Sequence, residues 1–212
     1  MDERFEIFYI RHGDTAGMTA DGRKPCDIGL SPLGERQAEL LCKRLSGMTF
    51  DAVFSSPLVR AVKTAEIACK GLDLPIEIMP ELIEKGTQPG YGEPDFDIIK
   101  SISDKAIPCP DRIIQNVLTE TDEENRARSK KVTEYFRSRF TYGQRILVFA
   151  HGSLGNAFLP EAVDMPDGNY ILSINNTSVS KIKYTPDGKQ RLSFVNDFSH
   201  LRELMPDYEL TV

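Results

Sequence analysis

Long apolar runs are missing from this chain. A bilayer-crossing helix needs about 20 predominantly apolar residues, and the longest clean stretch, Ile146 to Ala150, falls far short. The opening MDERFEIFYI carries charge where a secretory leader needs its apolar region. We therefore expect no membrane partner and a cytoplasmic location. Cysteine is scarce as well. Cys26, Cys42, Cys69 and Cys109 are the whole set, widely spaced and without a C-x-x-C pair. That argues against a disulfide framework or a structural zinc site and for reduced thiols. A basic surplus is also lacking: 26 Lys and Arg face 32 Asp and Glu, for a formal net charge of −6. Nucleic-acid binders usually lean the other way, so no nucleic-acid partner is expected. An anionic small molecule stays compatible, because a few arginines suffice to make a local positive pocket. Repeats, low-complexity segments and an interdomain linker are absent too. With 40% hydrophobic and 27% charged residues the composition is that of a globular protein. Its 212 residues suit one α/β domain spanning 1–212.

Phe5 to Ile10 reads as a buried strand that ends in Arg11-His12-Gly13. A loop rich in Gly, Asp and Lys follows to about Leu30. Ser31-Pro32 has the form of an N-cap and first helical residue, and Leu33, Ala38, Leu41 and Leu45 recur at helical spacing. Asp51 to Ser55 predicts a short strand. Ser56-Pro57 repeats the cap signature ahead of a second helix, lined by Leu58, Ala61, Val62, Ala65 and Ala68. Pro75 to Met79 alternates as a third strand. Residues 84–120 are rich in Gly and Pro and weakly periodic, so about 85–120 reads as an irregular lid or substrate-specificity segment. Thr121-x-x-Glu124 is a capping box. It opens a helix with Val132, Tyr135, Phe136 and Phe140 on one face. Arg145 to Ala150 is a strongly apolar strand ending in His151-Gly152-Ser153. Two last strands, about Tyr170–Tyr184 and Arg191–Val195, predict a hairpin turning at Pro186-Asp187-Gly188.

Strands alternating with helices imply a three-layer α/β/α sandwich around a mostly parallel sheet. Ligands in such folds sit at the carboxyl ends of strands. Those ends carry Arg11 and His12, Ser55-Ser56-Pro57 with Arg60 close behind, Glu84 beyond the third strand, and His151. Two arginines, two histidines and a carboxyl group suit phosphoryl transfer. Arginine forks match phosphate oxygens, a neutral imidazole is a competent nucleophile, and a protonated carboxyl can release an alcohol. Each residue also has an ordinary reading. A histidine after a strand is more often structural, Arg60 can be a surface helix arginine, and Glu84 can be a solvated loop carboxylate with Glu81 as its competitor.

The ordered set Arg11-His12-Gly13, Leu30-Ser31-x-x-Gly34-x-x-Gln37-Ala38, Ser55-Ser56-Pro57-Leu58-x-Arg60-Ala61-x-x-Thr64-Ala65, Glu84 and His151-Gly152 resembles the histidine phosphatase superfamily, with its phosphoglycerate mutase-like fold. The resemblance runs from about residue 5 to 200. It implies a nucleophile at His12, a phosphoryl clamp of Arg11, Arg60 and His151, and a general acid at Glu84. It implies no metal and no cofactor. Thr15 and Ser153 join as substrate contacts, although Ser153 has the plain alternative of capping the helix after His151. His200 is expected to be structural. The chain departs from the family where substrate is met: Met18 stands where glycolytic mutases carry Asn, tryptophan is absent, and residues 85–92 replace a short Trp-containing run. The implied activity is metal-independent hydrolysis of a small phosphorylated metabolite. A mutase-type phosphotransferase and a non-catalytic phosphate-binding or regulatory module are the alternatives. No interface pattern speaks to oligomeric state.

Overall fold

The computed structural model describes residues 5–17, 27–86, 94–111, 120–166 and 171–204. Its elements are β1 (Phe5–Arg11), α1 (Pro32–Leu45), β2 (Ala52–Ser55), α2 (Val59–Ala68), β3 (Ile76–Ile78), a 3-10 turn (Pro80–Leu82), α3 (Phe96–Ile102), β4 (Ala106–Pro108), α4 (Asp122–Arg139), β5 (Arg145–Ala150), α5 (Gly152–Glu161), β6 (Val179–Tyr184), β7 (Gln190–Asp197) and a closing 3-10 segment (Ser199–Leu204). The strands form one sheet in the order β4-β3-β2-β5-β1-β6-β7. The pairs from β4 across to β1 are parallel, while β6 and β7 add as an antiparallel hairpin.

The three layers follow from the pleat. Successive side chains of a strand point to opposite faces. In β1, Phe5, Ile7 and Tyr9 enter one core with Val132 and Phe136 of α4 and Leu154 and Phe158 of α5. Phe8 and Ile10 enter the other, with Leu41 of α1, Val62 of α2 and Ile99 of α3. β5 splits the same way, Ile146 and Val148 to the first face and Leu147 and Phe149 to the second. A strand buried on both sides reads as a continuous apolar run, which is why RILVFA was legible. Each fully buried side chain of this kind is worth about 1.5–3 kcal/mol. An exposed pair such as Arg36–Glu39 is worth at most about 1 kcal/mol, so burial decides the architecture.

The helix ends show where local signals held and where they failed. Ser31 Oγ accepts from Gly34 N at 3.0 Å, with Pro32 in the first turn as expected. The Thr121–Glu124 capping box is present in both directions. The second expected cap is not. α2 begins at Val59, after Leu58, and Ser56 does not cap it. The carboxylate of Asp27 does so from afar, accepting from Val59 N at 2.7 Å. The hairpin also starts later than expected, at Val179, and turns at Gly188 with φ +81°.

Part of the stretch expected to be irregular is ordered secondary structure. Residues 96–102 form α3, capped by Asp95 through Asp97 N and Ile98 N, and residues 106–108 extend the sheet as β4. Ile99 and Ala106 are buried in the core. A seven-residue helix is too short to show a period, and Pro108 masks a strand unless that strand lies at an edge, where β4 lies. Residues 87–93 and 112–119 of the expected lid lie outside the described residues.

The turn after β1 depends on two glycines. A Cβ on Gly34 would stand 2.0 Å from Asp14 O, and one on Gly13 2.7 Å from Gly34 O. Both obstacles are backbone, so neither can swing aside. Gly34→Ala should therefore cost about 1–3 kcal/mol as an overpacked contact and lower the melting temperature by roughly 5–10 °C. Thermal unfolding followed by circular dichroism reads this directly. A melting temperature within about 1 °C of the parent would show that α1 and the β1 turn do not touch in solution.

Candidate functional site

The site is set by strand register. β5 lies between β1 and β2, with Arg11 opposite Ala150 and Ser55 opposite Phe149. The residues that follow each strand, His12, Ser56 and His151, therefore emerge side by side. His12 N donates to Ala150 O at 3.0 Å, and Ser56 N to Phe149 O at 2.9 Å, so the ladder continues to the last residue before the site. The rings of His12 and His151 stand 5.2 Å apart, centre to centre.

His12 is buried, and its Nδ1 lies 2.7 Å from Gly13 O. A carbonyl only accepts, so Nδ1 carries a proton, and in the neutral ring the lone pair is then on Nε2. The backbone behind it is pinned. Gly13 N donates to Thr64 Oγ1, whose hydroxyl in turn donates to Arg60 O. Asp14 N donates to Gln37 Oε1, and Ser31 Oγ donates to Asp14 Oδ2. Thr177 N donates to Arg11 O and Asn176 Nδ2 to His12 O. The Leu30-Ser31-x-x-Gly34-x-x-Gln37 stretch thus acts as a mould for the loop that follows β1.

His151 is fully buried at the N-cap position of α5. Its backbone is held by the phenol of Tyr9, which donates to His151 O at 2.7 Å. Its Nε2 lies 2.8 Å from Ser56 Oγ. Burial pushes the imidazole well below its usual value, and Arg60, His12, Arg128 and Arg11 push in the same direction. The ring is neutral at ordinary pH. Its Nδ1 is buried with no hydrogen-bond partner among the described residues.

Arg11 donates through one terminal nitrogen to Ile174 O at 2.5 Å. Its Nε is buried and has no partner among the described residues. The guanidinium lies against Gly152, where a Cβ would meet Nε at 3.4 Å. A buried polar atom without a partner costs about 1–3 kcal/mol; Arg11 Nε, which carries an N–H, and His151 Nδ1 are two such atoms among the described residues, both close to the N-terminus of α5, an end that favours negative charge. Arg60 sits at the second position of α2 and favours the charged forms of Asp27 and Glu84 while opposing a proton on His151.

Glu84 follows the 3-10 turn. Its Oε1 accepts from Leu154 N of α5 at 3.1 Å and from Lys85 N at 3.2 Å. Burial raises its carboxyl above the usual range, against the pull of Leu154 N, Arg60, Lys85 N and Arg11. Arg11, His12, Arg60, Glu84 and His151 thus lie together. Thr15 lies further along the β1 loop, in an isolated bridge to Leu30. Ser153 is exposed in the first turn of α5, and the N-cap there is His151, which corrects the capping alternative for Ser153.

Ser56 was read as a strand-end and cap residue and not as a partner of His151, and four supporting residues escaped the sequence reading altogether: Asp27, Asn176, Asn125 and Arg128. For the last two a signal existed. Asn125, Arg128, Ser129 and Val132 are buried at helical spacing, so the apolar stripe of α4 continues as a polar one. His200 is a support of the β1 turn. Arg44 donates to its Nδ1 and its Nε2 faces Thr177 Oγ1, each at 3.2 Å.

His200 supplies a test of this packing. Burial, aided by Arg44 and opposed by Asp197, pushes its imidazole down to about 4. An imidazolium would lose the bond from Arg44, so the folded state refuses a proton that the unfolded chain takes near pH 6.5. Stability from this group is complete above about pH 6.5 and is lost as pH falls toward the folded value. Urea unfolding at pH 7 and pH 5 should show a loss about 2 kcal/mol larger in the parent than in His200→Gln. Equal losses would place His200 in solvent.

The sequence model of the histidine phosphatase superfamily (branch 1) matches residues 7–197. The chain is 28% identical over 198 residues to the uncharacterized phosphatase PhoE of Bacillus subtilis (strain 168), covering 92% of this chain and 96% of that one. It is 28% identical over 166 residues to the adenosylcobalamin/alpha-ribazole phosphatase of Escherichia coli (strain K12), covering 76% of this chain and 80% of that one. Among solved structures, the alpha-ribazole phosphatase from Shigella flexneri superposes with a TM-score of 0.66 at 22% identity, over 91% of this chain and 96% of that one. At that identity the likeness carries the fold.

Proposed function

The chain belongs to the histidine phosphatase superfamily, and from that premise we propose that it hydrolyses small phosphate monoesters, without a metal, through a covalent phosphohistidine on His12. The observation that supports this most is the hydrogen bond from His12 Nδ1 to Gly13 O, which in the neutral ring puts the lone pair on Nε2, with the His151 ring 5.2 Å away and Arg11 Nε buried without a partner among the described residues. Relatives that bear the name phosphatase support hydrolysis over phosphoryl relocation.

In this reading Nε2 of His12 attacks phosphorus in line with the departing alkoxide. Arg11, Arg60 and the neutral His151 hold the three phosphoryl oxygens and the charge that develops on them. Glu84 gives its proton to the leaving oxygen as the P–O bond breaks, and the alcohol departs neutral. Water then attacks phosphorus, Glu84 takes a proton from it, and the N–P bond breaks back onto Nε2 to release phosphate. The raised carboxyl of Glu84 suits the first role, because it keeps its proton to higher pH than an ordinary carboxyl. Thr15 and Ser153 are assigned to substrate contact on their positions in the β1 loop and the first turn of α5. Two arginines supply the positive charge that a metal supplies elsewhere.

His12→Ala should abolish turnover. Mixing the parent protein with labelled substrate and quenching without acid should leave label on His12. Label on a serine, or activity surviving in His12→Ala, overturns the covalent step. Glu84→Gln should lower hydrolysis of an alkyl phosphate by about 10²–10⁴-fold, the usual worth of general acid catalysis. A nitrophenyl phosphate leaves as a stabilised phenolate, so its pre-steady-state burst should survive while later turnover slows. Equal losses on both esters, with the burst gone, remove Glu84 from the role of acid.

A further inference from the structure

We infer that Arg128, linked to Asn125 and Glu120, is a positioning residue for Glu84: it fixes the backbone that carries the carboxyl and locks that backbone to the first turn of α5. This rests on the reading of Glu84 as the general acid.

Arg128 lies on the inward face of α4 and is only 3% exposed. A guanidinium has five N–H donors, and here every one has an acceptor. One terminal nitrogen donates to Glu81 O at 2.6 Å and to Ile83 O at 3.0 Å. The other donates to Asn125 Oδ1 at 3.1 Å and to Glu120 Oε1. Nε donates to Glu120 Oε2 at 3.0 Å. No N–H remains for a substrate oxygen. Arg11, by contrast, keeps a buried Nε without a partner among the described residues. The two arginines therefore do different things, one meeting a ligand and the other holding the frame.

The frame closes on Glu84 from both sides. Ile83, held by Arg128, is the residue before Glu84. On the far side, Asn125 Nδ2 donates to Ser153 O at 3.4 Å, and the next amide, Leu154 N, donates to Glu84 Oε1. A closed circuit runs from Arg128 through Ile83 and Glu84 to Leu154 and Ser153, then through Asn125 back to Arg128. Glu120 balances the buried positive charge, which keeps the clamp from acting on the carboxyl chiefly as a charge. Placement errors near 1 Å cost catalysis about 10²-fold, so a carboxyl that must meet a leaving oxygen has reason to be tied at both ends.

The test separates positioning from general support. Lysine keeps the charge in Arg128→Lys but offers three donors from one point and cannot span Glu81 O, Ile83 O and Glu120 together. Alkyl phosphate turnover should fall about 10–100-fold, while the nitrophenol burst falls less than about threefold. Adding Arg128→Lys to Glu84→Gln should cost less than about threefold more on the alkyl ester, because the group being positioned is already gone. The alkaline limb of the alkyl profile should move to lower pH as the loosened carboxyl gains water. Equal losses on both esters, or losses that multiply in the double variant, overturn the inference. Should Arg128→Lys fail to fold, Asn125→Ala opens the circuit by removing the tie to Ser153 and one acceptor of Arg128, and it is read by the same ratio of esters: a selective alkyl loss supports the circuit and an even loss overturns it. A Glu84→Gln protein with no leaving-group selectivity ends the acid assignment and this inference together. Selectivity in Glu84→Gln without any in Arg128→Lys or Asn125→Ala ends only the inference.

Discussion

Everything at the carboxyl edge of the sheet depends on the parallel register of β1 on β5, in which Arg11 faces Ala150. That register puts His12 and His151 next to each other with no loop to adjust. Slipping by one residue would turn each strand's apolar set to the wrong core, and with it the two rings. The hydrophobic alternation that builds the two cores therefore also sets the 5.2 Å spacing of the histidines. The site inherits its geometry from residues such as Ile7, Ile10, Val148 and Phe149, which never approach a ligand.

Against that rigid edge the protein tolerates local cost. Buried nitrogens on Arg11 and His151 that have no partner among the described residues each disfavour the folded state by about 1–3 kcal/mol. A domain has only about 5–15 kcal/mol of net stability, so these are large fractions. Satisfied networks surround them: Tyr9 holds the His151 backbone, Thr177 and Asn176 hold Arg11 and His12, and Gln37 and Ser31 hold Asp14. The two atoms thus sit among neighbours whose own hydrogen bonds are made.

Much of this was legible in the sequence, for reasons that differ by element. β5 was visible to the residue because burial on both faces leaves no polar interruption. The α1 and α4 caps were visible because Ser31 and Thr121 act on amides within their own first turn. The cap of α2 was not, since Asp27 arrives from a distant part of the chain. α3 and β4 were hidden by their brevity and by Pro108. That Arg11, His12, Arg60 and His151 come together was legible because each ends or follows a strand or opens a helix, while Glu84, beyond the 3-10 turn, had only its order in the motif set. Arg128 had no such address. Its partners are backbone carbonyls, an amide oxygen and a carboxylate, and an arginine in an 18-residue polar helix reads as a solvated one unless its place on the stripe that runs on from Val132 is followed.

That contrast bears on how arginines in such a site are told apart. Charge does not do it: Arg11, Arg60 and Arg128 all act on the neutral His151 in the same sense. Exposure does not do it either, since Arg128 is the most buried of the three. What separates Arg11 from Arg128 is the count of donors against acceptors. A guanidinium whose five N–H groups all end on protein oxygens has no capacity to respond when an anion arrives, and its contribution is fixed in the folded state. One that keeps a buried N–H without an acceptor among the described residues, as Arg11 does, has a hydrogen bond left to give, and in the proposed reaction that bond would form on binding and strengthen as charge builds on the phosphoryl oxygens. On the proposed reading the sheet edge carries the groups that respond, and α4 carries the groups that hold them still.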